Sequence, residues 1–395
     1  MSEDKICMIS PNIPPHYSGG GKRALHQAKQ LANMGWKVVF ITTTVGHNCF
    51  SNLIMITLKL PFRYETTGLK ATILKNLYHP IVFFKMWQAI KKSKVKLIHC
   101  IPAFSWPAFW AVLSARLQGV KVVIETTLVD ADDPVAIRKS KLGTLKNSIF
   151  GMADAVVNIS PLLEKRSLDA DLAKNKLHLI PNGIDTVKFA PPSVGSKEMF
   201  RRKLGLSKFE YVLISVGAMR PRKCISEIIT SFKAVTKEFK DCALVLIGPT
   251  DKDEENENYY QQLLKQIDFV GLTDKVIFTG AVDNVEEWLK AGDVFLFASK
   301  REGLPNAVLE AAAAGLPVVA MRIPQVTDYI FGEENNSGIV VDDLDGLSNA
   351  ALELLRDSEH YKRISINARQ RILNLFSNEI VMEQYTQLYR ELLES

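Results

Sequence analysis

The chain has 395 residues, 47% of them apolar and 23% charged, a balance that excludes a disordered or fibrous protein and suffices for two domains with separate cores. Its net charge of +6 is unevenly placed: residues 1–100 hold 14 Lys/Arg against Glu3, Asp4 and Glu65, a local +11, so the other 295 carry −5. Five scattered cysteines (Cys7, Cys49, Cys100, Cys224, Cys242) lack Cys-x-x-Cys pairing, which argues against a zinc site or disulfide framework and for a reduced cytoplasmic protein. Acidic Glu3 and Asp4 do not open a signal peptide, and no apolar run reaches bilayer-spanning length.

Residues 5–10 read as a strand, followed by a Pro-rich loop to Gly19, Gly20 and Gly21, a helix over about 22–34 ended by Gly35, and a strand over 37–43. The glycines open a βαβ unit in which backbone can approach a phosphate or sugar closely; a plain turn fits them too. Their spacing is not a dinucleotide fingerprint, and the Gly-Lys-Ser/Thr of a Walker loop is absent. Residues 70–96 mix aromatic side chains (Phe83, Phe84, Trp87) with lysines, as an amphipathic segment in an anionic membrane interface would. A buried helix with a lysine-rich outer face has the same composition.

Residues 95–100 and 121–124 are further strands around a helix that includes 106–117, and the second strand runs into Glu125, Thr126 and Thr127. The Asp130, Asp132 and Asp133 that follow could serve an active site, although helix capping and loop solvation explain them more cheaply. A strand at 155–160 leads to Leu-His-Leu-Ile-Pro-Asn-Gly-Ile-Asp over 177–185, where Asn-Gly reads as a tight turn, and Pro191-Pro192-Ser193 reads as a linker.

Beyond it, a strand at 211–216 meets Gly-Ala-Met-Arg-Pro-Arg-Lys over 217–223, then a helix to about 237. Strands at 243–248 and 275–278 alternate with helices at 259–270 and 285–290, and the acidic run 251–257 reads as a solvated loop. The apolar run 293–298 is a buried parallel strand; a Gly-Leu-Pro turn places Pro305 near the first helical position, and the helix over about 306–314 stops at Gly315 and Pro317. Its unpaired N–H groups and positive end suit a diphosphate. Asn306 and Glu310 stand i, i+4 on one face, so Glu310 can accept bonds from ribose or hexose hydroxyls, while a capped helix with solvated glutamates also fits. Helices at about 347–373, broken near Asp357, and at 378–393 close the chain. Both halves read as doubly wound parallel α/β domains.

Glu-Gly-Leu-Pro-Asn-Ala-Val-Leu-Glu over 302–310, together with Ile-Pro-Asn-Gly-Ile-Asp over 180–185 and then Phe189 and Pro191, resembles the retaining glycosyltransferases of family four. The resemblance implies the GT-B fold, two Rossmann-like domains facing each other across a cleft. It assigns 1–190 to the acceptor side, 191–376 to the nucleotide sugar, and 377–395 to a helix returning to the first domain through Tyr385, Leu388 and Leu392. It further implies that Glu310 holds the nucleotide ribose and Glu302 lies near the donor sugar. Backbone from Gly303, Leu304 and Pro305 through Asn306, Ala307, Val308 and Leu309 would meet the phosphates, with Gly19, Gly20 and Gly217 as donor-facing glycines. Lys223 fits the family's phosphate-binding lysine, but Ala218 occupies the arginine position, so Arg220 or Arg222 would compensate. The active-site histidine of many relatives is missing; its place falls at Thr126 or Thr127, with Asp130 nearby, on the acceptor side. The implied reaction moves a sugar from a nucleotide-diphosphate sugar to a glycan or lipid-linked acceptor, with no bound metal or other cofactor and no nucleic-acid partner. Two alternatives share features of the chain: a nucleotide-sugar epimerase, and a non-enzymatic module that binds anionic surfaces.

Overall fold

The computed structural model describes residues 5–13, 19–43, 52–59, 69–103, 105–140, 142–250, 254–332, 334 and 336–395, with backbone only at 69–77 and 106. The chain divides into two compact units, Met1–Pro181 with Met382–Ser395, and Asn182–Val381. Pro191-Pro192-Ser193, read from sequence as the linker, thus belongs to the second unit.

In the first unit, strands β1 (Lys5–Ile9), β2 (Lys37–Thr42), β3 (Leu53–Thr57), β4 (Leu97–Cys100), β5 (Lys121–Thr126), β6 (Ala155–Asn158) and β7 (Leu177–Leu179) form one parallel sheet in the order β3-β2-β1-β4-β5-β6-β7. Met8 lies in register with Phe40 on one side and His99 on the other. The central strands are buried on both faces and mostly apolar, which is why they read as hydrophobic runs; His99 of β4, Glu125 of β5 and Asn158 of β6 are buried polar exceptions. Edge strand β3 is also an apolar run, Leu-Ile-Met-Ile-Thr, but it exposes Ile54 and leaves Met55, Ile56 and Thr57 half-buried; sequence reading passes over it.

The second unit repeats the plan with β8 (Tyr211–Val216), β9 (Cys242–Ile247), β10 (Val276–Gly280), β11 (Val294–Phe297), β12 (Val318–Met321) and β13 (Ile339–Val341), all parallel, ordered β10-β9-β8-β11-β12-β13. Both are doubly wound α/β sheets, the fold class expected from the alternation of strands and helices.

Four local readings are corrected. Gly19 and Gly20 form the first turn of a helix, Gly19–Asn33, instead of a loop before it. Residues 180–183 contain no turn, so the tight turn read at Asn182-Gly183 is absent. Ile184 pairs in parallel with Ser377, and a Cβ on Gly183 would lie 2.6 Å from Asn378 Oδ1 and 3.3 Å from Asn378 Cα, so any side chain there would make Asn378 shift. Glu254, Glu255 and Glu257 begin the helix Glu254–Phe269, where their charge favours its positive end, and do not form a loop; Asp251 lies outside the described residues. In the helix Leu69–Ser93, Val82, Met86, Ala89 and Ile90 make a core stripe. Phe83 packs edge-on to Trp110 at 5.7 Å and Trp87 lies 6.0 Å from Phe83, so of the three aromatics offered to a membrane Phe84 alone is mainly exposed, beside Ile81.

Candidate active site

Ligands of open parallel sheets bind beyond the carboxyl ends of the strands where strand order reverses. In the second unit that reversal lies between β8 and β11, and the loops leaving those strands carry 217–224 and 298–305. The first loop contains a short 3-10 turn, Pro221–Lys223, then Cys224 in the left-handed region (φ 52°), before the helix Ile225–Glu238. Backbone stitches the loops together: Lys300 N donates to Arg222 O at 2.9 Å, and Ser299 Oγ to the same oxygen at 3.1 Å.

Glu302 is the centre of this junction. Its Oε1 accepts from Lys223 Nζ at 2.6 Å, Ser299 Oγ at 2.8 Å and Arg222 Nη1 at 3.0 Å, and the side chain is nearly buried. Burial alone would raise its carboxyl, but Lys223 and then Arg222 outweigh that and hold it below its usual range. Two cations on one carboxylate leave one positive charge in excess at a strand-end loop, an arrangement that attracts a phosphate. Burial, with Arg222 and Arg220 adding their repulsion, lowers Lys223, against the pull of Glu302. The Lys223 side chain runs past Gly217: a Cβ there would stand 3.4 Å from Lys223 Cε, an ordinary contact. Ala218 is buried, and the second cation on the carboxylate is Arg222; Arg220 is half-buried beside them.

The helix Asn306–Ala313 begins next to this cluster in sequence. Its N-cap is Pro305, which makes no side-chain cap. Leu304, Pro305, Val308 and Leu309 bury their side chains and Gly303 has none, so their main chain is what a ligand could meet; Ala307 and Glu310 are half-buried. Asn306 turns its Oδ1 to Asn182 Nδ2 at 2.6 Å, and the same amide lies 3.3 Å from Leu304 O. Asn182 and Ser299 thus hold the glutamate loop in place. Sequence reading assigned neither that task, because the first is 120 residues away and the second is a common residue type without a motif. Beside the first loop opens a cavity of about 430 Å³ lined by Pro221, Ser226, Glu227, Tyr259 and Lys300 among others.

In the first unit the helix Gly19–Asn33 follows the switch-point strand β1. Among the described residues nothing lies within 4 Å of the position a Cβ on Gly20 would take, so their packing does not demand glycine there. At the end of β5, Thr126 is fully buried and donates to Asn158 Oδ1 at 2.9 Å. Thr127 is tied through its amide and hydroxyl to Asp132, which also accepts from Leu128 N at 2.6 Å; burial pushes Asp132 up to about 6. Asp133 caps the helix Pro134–Arg138, and Asp130, in the left-handed region (φ 57°), pairs with Arg166. The three aspartates therefore build and brace a loop. Among the described residues no group of three metal-ligating side chains gathers.

Comparison with known proteins finds that residues 17–188 match the family described as Glycosyltransferase Family 4, and residues 196–371 the one described as Glycosyl transferases group 1. Two relatives span nearly the whole chain. The N-acetyl-alpha-D-glucosaminyl L-malate synthase of Bacillus anthracis is 24% identical over 379 residues, 96% of this chain and 95% of its own. The UDP-Gal:alpha-D-GlcNAc-diphosphoundecaprenol alpha-1,3-galactosyltransferase of Escherichia coli is 25% identical over 393 residues, 98% and 97%. Among solved structures, a glycosyltransferase from Rickettsia africae superposes with a TM-score of 0.80 at 16% identity over all of both chains. HepE from Anabaena, in complex with UDP and glucose, does so with 0.77 at 17% identity over 98% and 99%.

Proposed function

The chain belongs to the family-four type of glycosyltransferase with the GT-B fold, and we propose that it transfers a sugar, with retention at the anomeric carbon, from a nucleoside-diphosphate sugar to a hydroxyl of a glycan or lipid-linked acceptor. The observation that carries this reading is the meeting of Lys223, Arg222 and Ser299 on Glu302 at the strand-order reversal of the second unit, beside the uncapped helix that bears Glu310. The cations receive the diphosphate and stabilise the charge that grows on it as it leaves. The amides from Gly303 to Leu309 meet its oxygens, Glu310 accepts from the ribose hydroxyls, and Gly217 and Gly20 let backbone come close. The acceptor oxygen attacks the anomeric carbon on the face the diphosphate vacates: the new C–O bond forms, the old one breaks, and the hydroxyl proton passes to the departing phosphate oxygen. No side-chain nucleophile, resident metal or other cofactor takes part.

The acceptor enters past Thr126, Thr127 and Asp130, and the protein works in the cytoplasm. An anionic membrane surface reached through residues 70–96 would serve a lipid-linked acceptor; the E. coli relative's name specifies a diphosphoundecaprenol substrate. The relatives cited carry transferase or synthase names, and the epimerase alternative has no support among them. A panel of nucleotide sugars, assayed for hydrolysis and for transfer to soluble and lipid-linked acceptors, tests the reading. Turnover of at least one donor is expected; epimerised donor without transfer or hydrolysis would overturn it.

A further inference from the structure

Within the first unit four elements meet at one charged group. Glu125, the fifth residue of β5 and the one before Thr126, is fully buried. Its Oε1 pairs with Arg23 of the glycine-led helix Gly19–Asn33, and its Oε2 accepts from Tyr385 OH of the C-terminal helix Asn378–Glu394 at 2.6 Å. The same Oε2 lies 3.4 Å from Nε2 of His99 in β4, whose Nδ1 is 2.7 Å from Tyr389 OH. β1 and β4 flank the reversal in the first sheet, and Glu125 lies near the carboxyl end of β5, the strand next to β4, at the end of the sheet where a ligand would lie.

We propose that Glu125 is a positioning residue for the transfer reaction: it sets the glycine-led helix and the end of β5 in one geometry, and does so only while Tyr385 of the C-terminal helix is docked on it. The proposal rests on the transfer reading above. Docking alone does not require the charge, because Tyr389 already packs edge-on to Trp36 at 6.0 Å and Leu388 is buried. Apolar groups of equal volume commonly hold a core as firmly as a buried ion pair, but they fix neither angle nor register as directional bonds do. Burial would raise the Glu125 carboxyl, yet Arg23 first, then His99 and Tyr385, hold it down at about 2, so the charge persists at neutral pH. The helix it holds carries Gly20 in its first turn, whose missing side chain the packing of the described residues does not explain.

The test compares the full chain with Tyr385→Phe and with the triple variant Arg23→Met, Glu125→Leu, Tyr385→Phe, which keeps volume and removes charge. Three quantities are read: the melting temperature; hydrogen exchange at residues 20–25 and 126–128; and kcat and KM for the donor the natural protein turns over fastest. The triple variant is expected to melt close to the natural protein, to exchange faster at both segments, and to lose about 10- to 100-fold in kcat with donor KM nearly unchanged. Tyr385→Phe should move the same readouts the same way by a smaller factor, about threefold, and it decides the matter if the triple variant does not fold. Exchange altered only within 378–394, together with natural kcat in the variants, would overturn the proposal. If the natural protein turns over no donor, the transfer reading falls instead, and the exchange measurement alone decides whether Glu125 couples these elements.

Discussion

Glu302 and Glu310 are separated by seven residues, yet their surroundings divide their tasks. Glu302 is enclosed by Lys223, Arg222 and Ser299, whereas Glu310 stands half-buried on a helix face. Replacing Glu310 with Gln exchanges a charged acceptor for a neutral one and should weaken donor binding by about 1.5–3 kcal/mol, roughly tenfold or more, in titration calorimetry. Lys223→Ala should instead strike kcat, by about 10²- to 10³-fold, since charge on the leaving group is greatest in the transition state. Comparable kcat losses in side-by-side steady-state assays would reject that ordering. Glu125 allows a prediction about pH. Its folded carboxyl, at about 2, lies below its ordinary 4.5, so the stability it contributes is complete above about 4.5 and drains away as pH falls towards 2. Glu125→Gln should flatten acid unfolding over that window, as followed by circular dichroism at fixed temperature.

At the scale of elements, two helices carry functional expectations. Gly20 costs the helix Gly19–Asn33 backbone entropy without relieving a clash with any described residue. Gly20→Ala should therefore raise stability by about 0.4–1 kcal/mol and at the same time weaken substrate binding, a pairing that thermal melts and donor titration would detect together. The helix Leu69–Ser93 buries Val82, Met86, Ala89 and Ile90 and shows Ile81, Phe84, Lys91 and Lys92 to solvent. If that outer face meets an anionic membrane, each lysine contributes about 1 kcal/mol. Changing Lys91, Lys92, Lys94 and Lys96 to Ser should then abolish co-sedimentation with anionic vesicles and leave donor hydrolysis intact. Equal sedimentation of the natural protein with neutral vesicles would refute the charge-driven contact.

For the whole molecule, each unit has its own parallel sheet and core, and the cations proposed for the donor lie in the second unit alone. A nucleoside diphosphate at 100 times its Kd should accordingly add about 2.7 kcal/mol to the unfolding of that unit in calorimetry, and Lys223→Ala should remove most of the gain. Because no metal is assigned a role, a chelator should leave both the stabilisation and the turnover unchanged. Loss of turnover that added magnesium or manganese restores would show that the reaction needs a metal.

The fold class followed from sequence because a strand buried on both faces is largely apolar, as in 294–297, and because helices alternating with such strands favour parallel crossovers. The Glu-x₇-Glu stretch, Lys223 and the family were legible for a similar reason: a helix start, a short loop and two carboxylates at fixed spacing are local features. What tertiary structure alone decided lies in contacts between distant residues. That Gly183 makes room for Asn378, that Asn182 pins Asn306, and that Arg222 joins Lys223 on Glu302 depends on which loops the sheet order brings side by side. The pairing of Glu125 with Arg23, 102 positions away, and with Tyr385, 260 away, has no trace in either residue's neighbours along the chain, since directional bonds between buried side chains exist only after the backbone has chosen its path.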